Sequence, residues 1–106
     1  MAYDTYRLLK IETGARIITA TIDNPPINII TMELFGELAR LSAELEADPD
    51  PLVFILKSAN PDFFIAHFDV NAILSFPTDQ APSREAAAKN EYHAMCERFR
   101  SMDKLT

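Results

Sequence analysis

The segment FFIAHFDV, residues 63–70, is the part of the sequence on which the fold prediction depends, because it is strongly apolar and has neither a strand nor a helix period. It follows Leu52–Leu56, a continuous apolar run that is typical of a strand buried on both faces. It leads into Val70–Leu74, which is predicted to be a short helix. Since α/β proteins bind ligands where a strand ends and a helix begins, we expect the functional site at residues 63–70.

The residues of this segment allow two interpretations. Its backbone N–H groups beside a helix start could bind an anion, as an oxyanion hole does. Alternatively, the segment is an apolar plug of the core in which Asp69 caps the helix Val70–Leu74. Composition alone favours the second interpretation.

Two strands are predicted at the start of the chain, over Tyr6–Glu12 and Arg16–Ile22. Gly14 lies between them and is expected to supply the positive φ that a tight hairpin turn needs. One face of the second strand is apolar and predicted to be buried: Ile18, Ala20 and Ile22. Pro25 and Pro26 end this strand.

A helix is predicted after the prolines, with Thr31 as its N-cap and Glu33 in its first turn. Its apolar residues form one stripe at helical spacing: Leu34, Leu38, Leu41 and Leu45. Gly36 lies inside this helix, where close packing against a neighbour would explain it. Because the helix connects two predicted strands, the sequence predicts an α/β fold with a crossover.

A loop over residues 76–82 and then a long helix, capped by Ser83 with Glu85 in its first turn, are predicted downstream. The apolar stripe of this helix is Tyr92, Met95, Cys96, Phe99 and Met102. Cys96 and His93 are three residues apart and could form a thiol–imidazole pair, but a core-facing Cys96 is the favoured interpretation.

Composition restricts the class of protein. A chain of 106 residues with 48% hydrophobic residues predicts a single domain over residues 1–106, and the net charge of −6 disfavours a nucleic-acid or anionic-membrane partner. No apolar run approaches the length of a membrane span, and no targeting peptide is recognisable. The single cysteine excludes an internal disulfide and suits the cytoplasm. No metal-ligand spacing is found, and the two glycines do not form a phosphate-binding loop.

The order of four segments resembles the N-terminal part of the crotonase family, the enoyl-CoA hydratases and isomerases. The segments are ITATIDNPPINII at 18–30, the helical segment 37–49 with VFIL at 53–56, DFFIAHFDV at 62–70 and KLT at 104–106. The last of these resembles the residues that open the next strand of the family fold. The resemblance covers nearly the whole chain, and its specificity comes from the order and spacing of the segments. It implies an α/β chain with the N-terminal part of a crotonase-like fold: an antiparallel strand pair, a helix, a buried strand, a short helix and a long helix.

By this resemblance, the backbone N–H of Phe68 would be one of two oxyanion-hole donors to the thioester oxygen of an acyl-CoA. The Ala66 backbone and the loop at Pro26 and Ile27 would lie near the coenzyme A moiety, which is part of the substrate. The resemblance implies enoyl-CoA hydration or double-bond isomerisation without a metal or redox cofactor. It also implies a homo-oligomer, a trimer or a hexamer.

The chain also departs from the family pattern. His67 stands where the family usually has Gly, and Asn71 stands where many members have a Lys suited to the phosphates of the coenzyme; Asp69 lies between them in the same substrate-binding segment. The family's second oxyanion donor and its acid/base carboxylates come from later segments. We therefore expect these 106 residues alone to be catalytically incomplete. The alternatives are a non-catalytic acyl-CoA-binding or assembly module, and a truncated gene product without function.

Overall fold

A three-stranded sheet is the centre of the fold, in a computed structural model that describes residues 3–74 and 90–106. The described elements are β1 (Leu9–Gly14), β2 (Ile17–Ile22), α1 (Met32–Ala47), β3 (Val53–Ser58), α2 (Val70–Leu74) and α3 (Glu91–Ser101). The strand order is β1–β2–β3, in which β1 is antiparallel to β2 and β2 is parallel to β3. Since α1 connects the parallel pair, the predicted crossover and the α/β class are confirmed.

The hairpin between β1 and β2 has a two-residue turn. Ala15 has a φ of 51° and Arg16 a φ of 63°, whereas no glycine has a positive φ. The prediction for Gly14 is therefore wrong. Gly14 is the last residue of the ladder and pairs with Ile17, so the two left-handed positions that this tight turn requires fall on its successors.

Helix α1 begins as predicted, because the Thr31 side chain accepts a hydrogen bond of 3.2 Å from the Leu34 N–H. Its predicted stripe is buried together with the inner face of β2, which confirms the core: Ile18, Ala20, Ile22, Leu34, Leu38, Leu41 and Leu45. Close packing does not explain Gly36, since a Cβ added there would meet no atom within 4 Å. The helix ends at Ala47 with Asp48 as its C-cap.

Strand β3 is buried on one face only, in contrast to the prediction. Phe54 is 3% exposed, but its neighbour Ile55 is 44% exposed. The reason is that, among the described residues, helices pack only on the face of the sheet that bears Phe54 and the buried side chains of β2. On its far side β3 meets Leu105, whose carbonyl accepts a hydrogen bond of 2.8 Å from the Phe54 N–H. Leu105 pairs in parallel with Val53, at the place where the family resemblance predicts the next strand.

Helix α3 packs against α1 and extends the core. Asn90 caps it through hydrogen bonds from the N–H groups of Tyr92 and His93. Met95 and Met102 are buried as predicted, but Cys96 is exposed, so the core-facing interpretation of this cysteine is wrong. The prediction of one long helix that continues from Ser83 is wrong, because Asn90 is extended, with a φ of −68° and a ψ of 128°, and the described helix begins at Glu91. The predicted cap at Ser83, with Glu85, and the loop at 76–82 lie outside the described residues.

A row of carboxylates on α1 holds the segment that precedes β1. Glu37, which is 8% exposed, accepts hydrogen bonds from the backbone N–H groups of three consecutive residues: Arg7, Leu8 and Leu9. Glu44 accepts a hydrogen bond of 2.7 Å from the Tyr6 hydroxyl. These contacts connect the start of the chain to the helix on which the sheet packs.

Candidate functional site

Asn28 joins the two loops that form the site. Its side chain is 2% exposed, and its Oδ1 accepts a hydrogen bond of 2.9 Å from the Asn24 N–H. Its Nδ2 donates to Ser58 Oγ at 2.7 Å and to the Phe64 carbonyl at 3.2 Å. Asn28 has a φ of 57°, a left-handed conformation that Asn adopts more readily than most residues. It therefore fixes the loop after β2 against the loop after β3.

Asn60 and Ser58 complete the connection between these loops. Asn60 Nδ2 donates to the Pro26 carbonyl at 2.6 Å, and Asn60 Oδ1 accepts from the N–H groups of Asp62 and Phe63. Ser58 Oγ donates to the Phe63 carbonyl at 2.6 Å. The structure thus brings the predicted Pro26 loop beside the start of the 63–70 segment.

The backbone of Phe68 is aligned by a parallel bridge to Ile30. The Ile30 N–H donates to the His67 carbonyl at 2.9 Å, and the Asp69 N–H donates to the Ile30 carbonyl at 2.8 Å. The His67 carbonyl and the Phe68 N–H belong to one peptide group, and a trans peptide holds these two on opposite sides. The Phe68 N–H is therefore directed away from Ile30.

The Phe68 ring packs in an aromatic cluster. Its centroid lies 6.1 Å from that of Phe35 and 5.9 Å from that of Tyr92, both in edge-to-face orientation. Phe35 and Tyr92 also contact each other at 5.7 Å. Contacts of this kind stabilise a pair beyond the area that they bury. They connect the segment that bears the predicted donor to both α1 and α3.

Asp69 caps α2, as the second interpretation of the segment predicts. Its Oδ1 accepts a hydrogen bond of 3.0 Å from the Asn71 N–H, and its carbonyl accepts one of 3.1 Å from the Ile73 N–H. Asn71 is exposed, and so is the His67 side chain, whose Nδ1 lies 2.7 Å from the Phe68 carbonyl oxygen. This cap is compatible with a ligand at the Phe68 N–H, since it engages different groups.

Ile27 and Ala66 are both half-buried, each in one of the two loops. The residues predicted for the site therefore lie on the two loops that Asn28 and Asn60 hold together, except Asn71, which lies on α2. Asn28 entered the prediction only as part of the segment at 18–30, and Ser58 and Asn60 were not predicted. The signal for Asn28 was its position after two prolines, where a tight turn needs a residue that tolerates positive φ.

An apolar groove of about 420 Å³ lies between the site loops and α3. Its lining residues come from both loops, α1, β3, α3 and the last residue of the chain: Ile30, Leu38, Phe54, Leu56, Phe64, Ile65, Tyr92, Met95, Cys96, Phe99 and Thr106. Burial raises the pKa of Tyr92, and the neighbouring Cys96 adds to this effect. The groove is thus an apolar environment at the edge of the site.

Within the two described ranges, no three His, Cys, Asp or Glu side chains are grouped closely enough to hold a metal ion. In the same part of the chain, no helix is long and apolar enough to cross a membrane.

The fold matches the N-terminal portions of crotonase-fold structures, so the crotonase-like α/β fold is confirmed. The enoyl-CoA hydratase from Mycobacterium tuberculosis H37Rv is 29% identical over 73% of this chain and 35% of its own, with a TM-score of 0.59. Pseudomonas aeruginosa DspI is 26% identical over 92% of this chain and 36% of its own, with a TM-score of 0.61. The enoyl-CoA hydratase from Bacillus anthracis has a TM-score of 0.71 at 15% identity, over 92% of this chain and 37% of its own. At this identity the similarity supports the fold alone.

The chain spans between 26% and 45% of the length of eight solved structures that it resembles. No protein-family model matches it. No curated protein matches it either.

Proposed function

We propose that the site binds the thioester group of an acyl-CoA and that the Phe68 N–H donates a hydrogen bond to the thioester oxygen. The observation that supports this proposal is the bridge to Ile30, which directs the Phe68 N–H away from the paired strand. The bridge also polarises the donor. Because the His67 carbonyl already accepts a hydrogen bond, the N–H of the same peptide group becomes a stronger donor.

The similarity to enoyl-CoA hydratases that are 29–30% identical supports this class of ligand. A thioester that loses an α-proton or gains a nucleophile develops negative charge on its oxygen, and an aligned backbone N–H stabilises that charge. Removal of one such donor typically costs about 2.7–4 kcal/mol in the transition state. The proposed chemistry is enoyl-CoA hydration or isomerisation, with coenzyme A as part of the substrate. The proposed assembly is a homo-oligomer.

The test compares two substitutions at one residue, Phe68→Pro and Phe68→Ala. Pro removes the N–H and the ring, whereas Ala removes the ring only. Crotonyl-CoA labelled with ¹³C at the thioester carbonyl is titrated into each variant, and its carbonyl stretch is recorded by infrared spectroscopy. Circular dichroism of both variants checks that they fold.

We expect the carbonyl stretch to shift to lower frequency in the native chain and in the Ala variant but not in the Pro variant. The loss of one neutral hydrogen bond, about 0.5–1.5 kcal/mol, should weaken binding by roughly 2- to 12-fold. An equal shift in the folded Pro variant would overturn the role of the Phe68 N–H. Failure of the native chain to bind crotonyl-CoA would overturn the proposed function itself.

A second candidate function is a non-catalytic acyl-CoA-binding or assembly module. It is favoured by the position of Asp69, the carboxylate next to the donor, which is already engaged as the cap of α2. Hydratase turnover by these 106 residues would exclude this candidate, whereas binding of crotonyl-CoA without hydration would support it.

A further inference from the structure

The imidazole of His67 lies beside the proposed donor and is held in one orientation. Its Nδ1 is 2.7 Å from the Phe68 carbonyl oxygen. Because a carbonyl oxygen only accepts hydrogen bonds, the hydrogen must lie on Nδ1. In the neutral ring Nε2 is then the nitrogen with the lone pair, and it can accept a proton.

The side chain of His67 is on the outer side of the segment. Phe68 is paired with Ile30 in a parallel bridge, and its ring packs inward against Phe35 and Tyr92. Since successive side chains of extended backbone point to opposite sides, the His67 imidazole points away from this cluster, in agreement with its exposure. In extended backbone the N–H and the carbonyl of one residue lie on the same edge, so the Phe68 carbonyl that the imidazole contacts is on the same side as the Phe68 N–H, away from Ile30. A ligand oxygen that accepts from the Phe68 N–H would therefore lie on the side of this imidazole.

On the basis of the proposed function, we propose that Nε2 of His67 removes and returns the α-proton of the bound acyl-CoA thioester. The lone pair of Nε2 takes the proton, and the electron pair of the C–H bond moves into the thioester carbonyl to form an enolate. The Phe68 N–H stabilises the negative charge on the enolate oxygen. The enolate carbon then takes a proton back from the imidazolium, so that no oxidant or reductant is needed.

In D₂O the imidazolium exchanges its proton with the solvent, so the returned hydrogen is deuterium. The test is the incorporation of deuterium at the α-carbon of butyryl-CoA, measured by mass spectrometry with the full chain. The informative variant is His67→Gln, because its amide can donate to the Phe68 carbonyl but cannot take up the proton. His93→Gln, on α3, is the matched control.

General-base catalysis contributes about 100-fold or more, so we expect His67→Gln to lose exchange by about 100-fold. Binding of butyryl-CoA, measured by calorimetry, should change less than twofold. A His67→Gly variant should recover exchange when free imidazole is added, whereas a residue with a merely structural role would not show this rescue. The His93→Gln control should exchange at the native rate.

Undiminished exchange in His67→Gln would overturn the inference, and so would a native chain that binds butyryl-CoA without exchanging its α-proton. Either result leaves the proposed function in place, because binding and the infrared shift are measured separately. Absence of binding would overturn both proposals together.

Discussion

Replacement of Asn28 tests whether one buried amide holds the two site loops together. Asn28→Ala removes the hydrogen bond of 2.9 Å from the Asn24 N–H and the bonds that Nδ2 donates to Ser58 at 2.7 Å, to the Phe64 carbonyl at 3.2 Å and to the Ile22 carbonyl at 3.4 Å. Because the two hydrogens of Nδ2 are shared among three acceptors, the loss amounts to about three full hydrogen bonds, which at a net value of about 1 kcal/mol each costs about 3 kcal/mol. The φ of 57° adds about 1 kcal/mol for Ala, which adopts this conformation less readily than Asn or Gly.

We therefore expect Asn28→Ala to lower the free energy of unfolding by about 4 kcal/mol. Asn28→Gly loses the same hydrogen bonds without the backbone strain, so it should cost about 1 kcal/mol less than the Ala variant. Asn28→Asp keeps the acceptor for Asn24 but loses all the bonds that Nδ2 donates. It should be destabilised because its carboxylate is buried without a donor to Ser58 or the Phe64 carbonyl.

The assay is urea denaturation at a fixed pH, followed by far-UV circular dichroism, with thermal scans as a second measurement. In a domain of this size, each kcal/mol corresponds to a shift in midpoint temperature of about 4–8 °C. A loss of less than about 1 kcal/mol in Asn28→Ala would refute the assignment of Asn28 as the connection between the loops. A Gly variant that is no more stable than the Ala variant would refute the backbone strain assigned to Ala at residue 28.

Three further predictions concern stability. Ala15→Gly should stabilise the hairpin by about 1 kcal/mol, because Gly adopts the φ of 51° without strain, and a lower urea midpoint would contradict this. Gly36→Ala should stabilise α1 by about 0.5–1 kcal/mol, since the added Cβ meets no atom within 4 Å; a destabilised variant would show that the position is constrained in another way. Burial and the hydrogen bond to Glu44 raise the pKa of Tyr6 to about 12, so the folded state keeps this proton longer than the unfolded state does. Stability from Tyr6 is therefore complete below pH 10 and is lost as the pH rises from 10 to about 12, and Tyr6→Phe should reduce this alkaline loss in a pH series of thermal scans.

Local patterns predicted much of the fold correctly. The leucine stripe of α1, its Thr31 cap and the inner face of β2 follow from spacing and capping, which depend on residues near one another in the chain. The boundaries of α2 agree with the prediction, and so does the role of Asp69 as its cap. The family resemblance also predicted a strand at the end of the chain, where Leu105 pairs with Val53.

The wrong predictions concern features that depend on register or on neighbours distant in sequence. Gly14 was assigned the left-handed position, but the pairing of Gly14 with Ile17 moves this conformation to Ala15 and Arg16. Cys96 has an apolar context in sequence, yet it is exposed beside the groove. The continuous apolar run of β3 predicted burial on both faces, but the described elements cover only one of them.

The sequence by itself determined the α/β class and the crossover, because hydrophobic periodicity and capping are local properties, and it predicted the segment in which we propose the site. Only the tertiary structure decided the direction of the Phe68 N–H, the inward packing of its ring and the outward position of His67. These follow from the bridge between Ile30 and Phe68 and from the hydrogen bonds of Asn28 to the loop after β3. The partners are about 30 residues or more apart in the chain, a separation that no local pattern encodes.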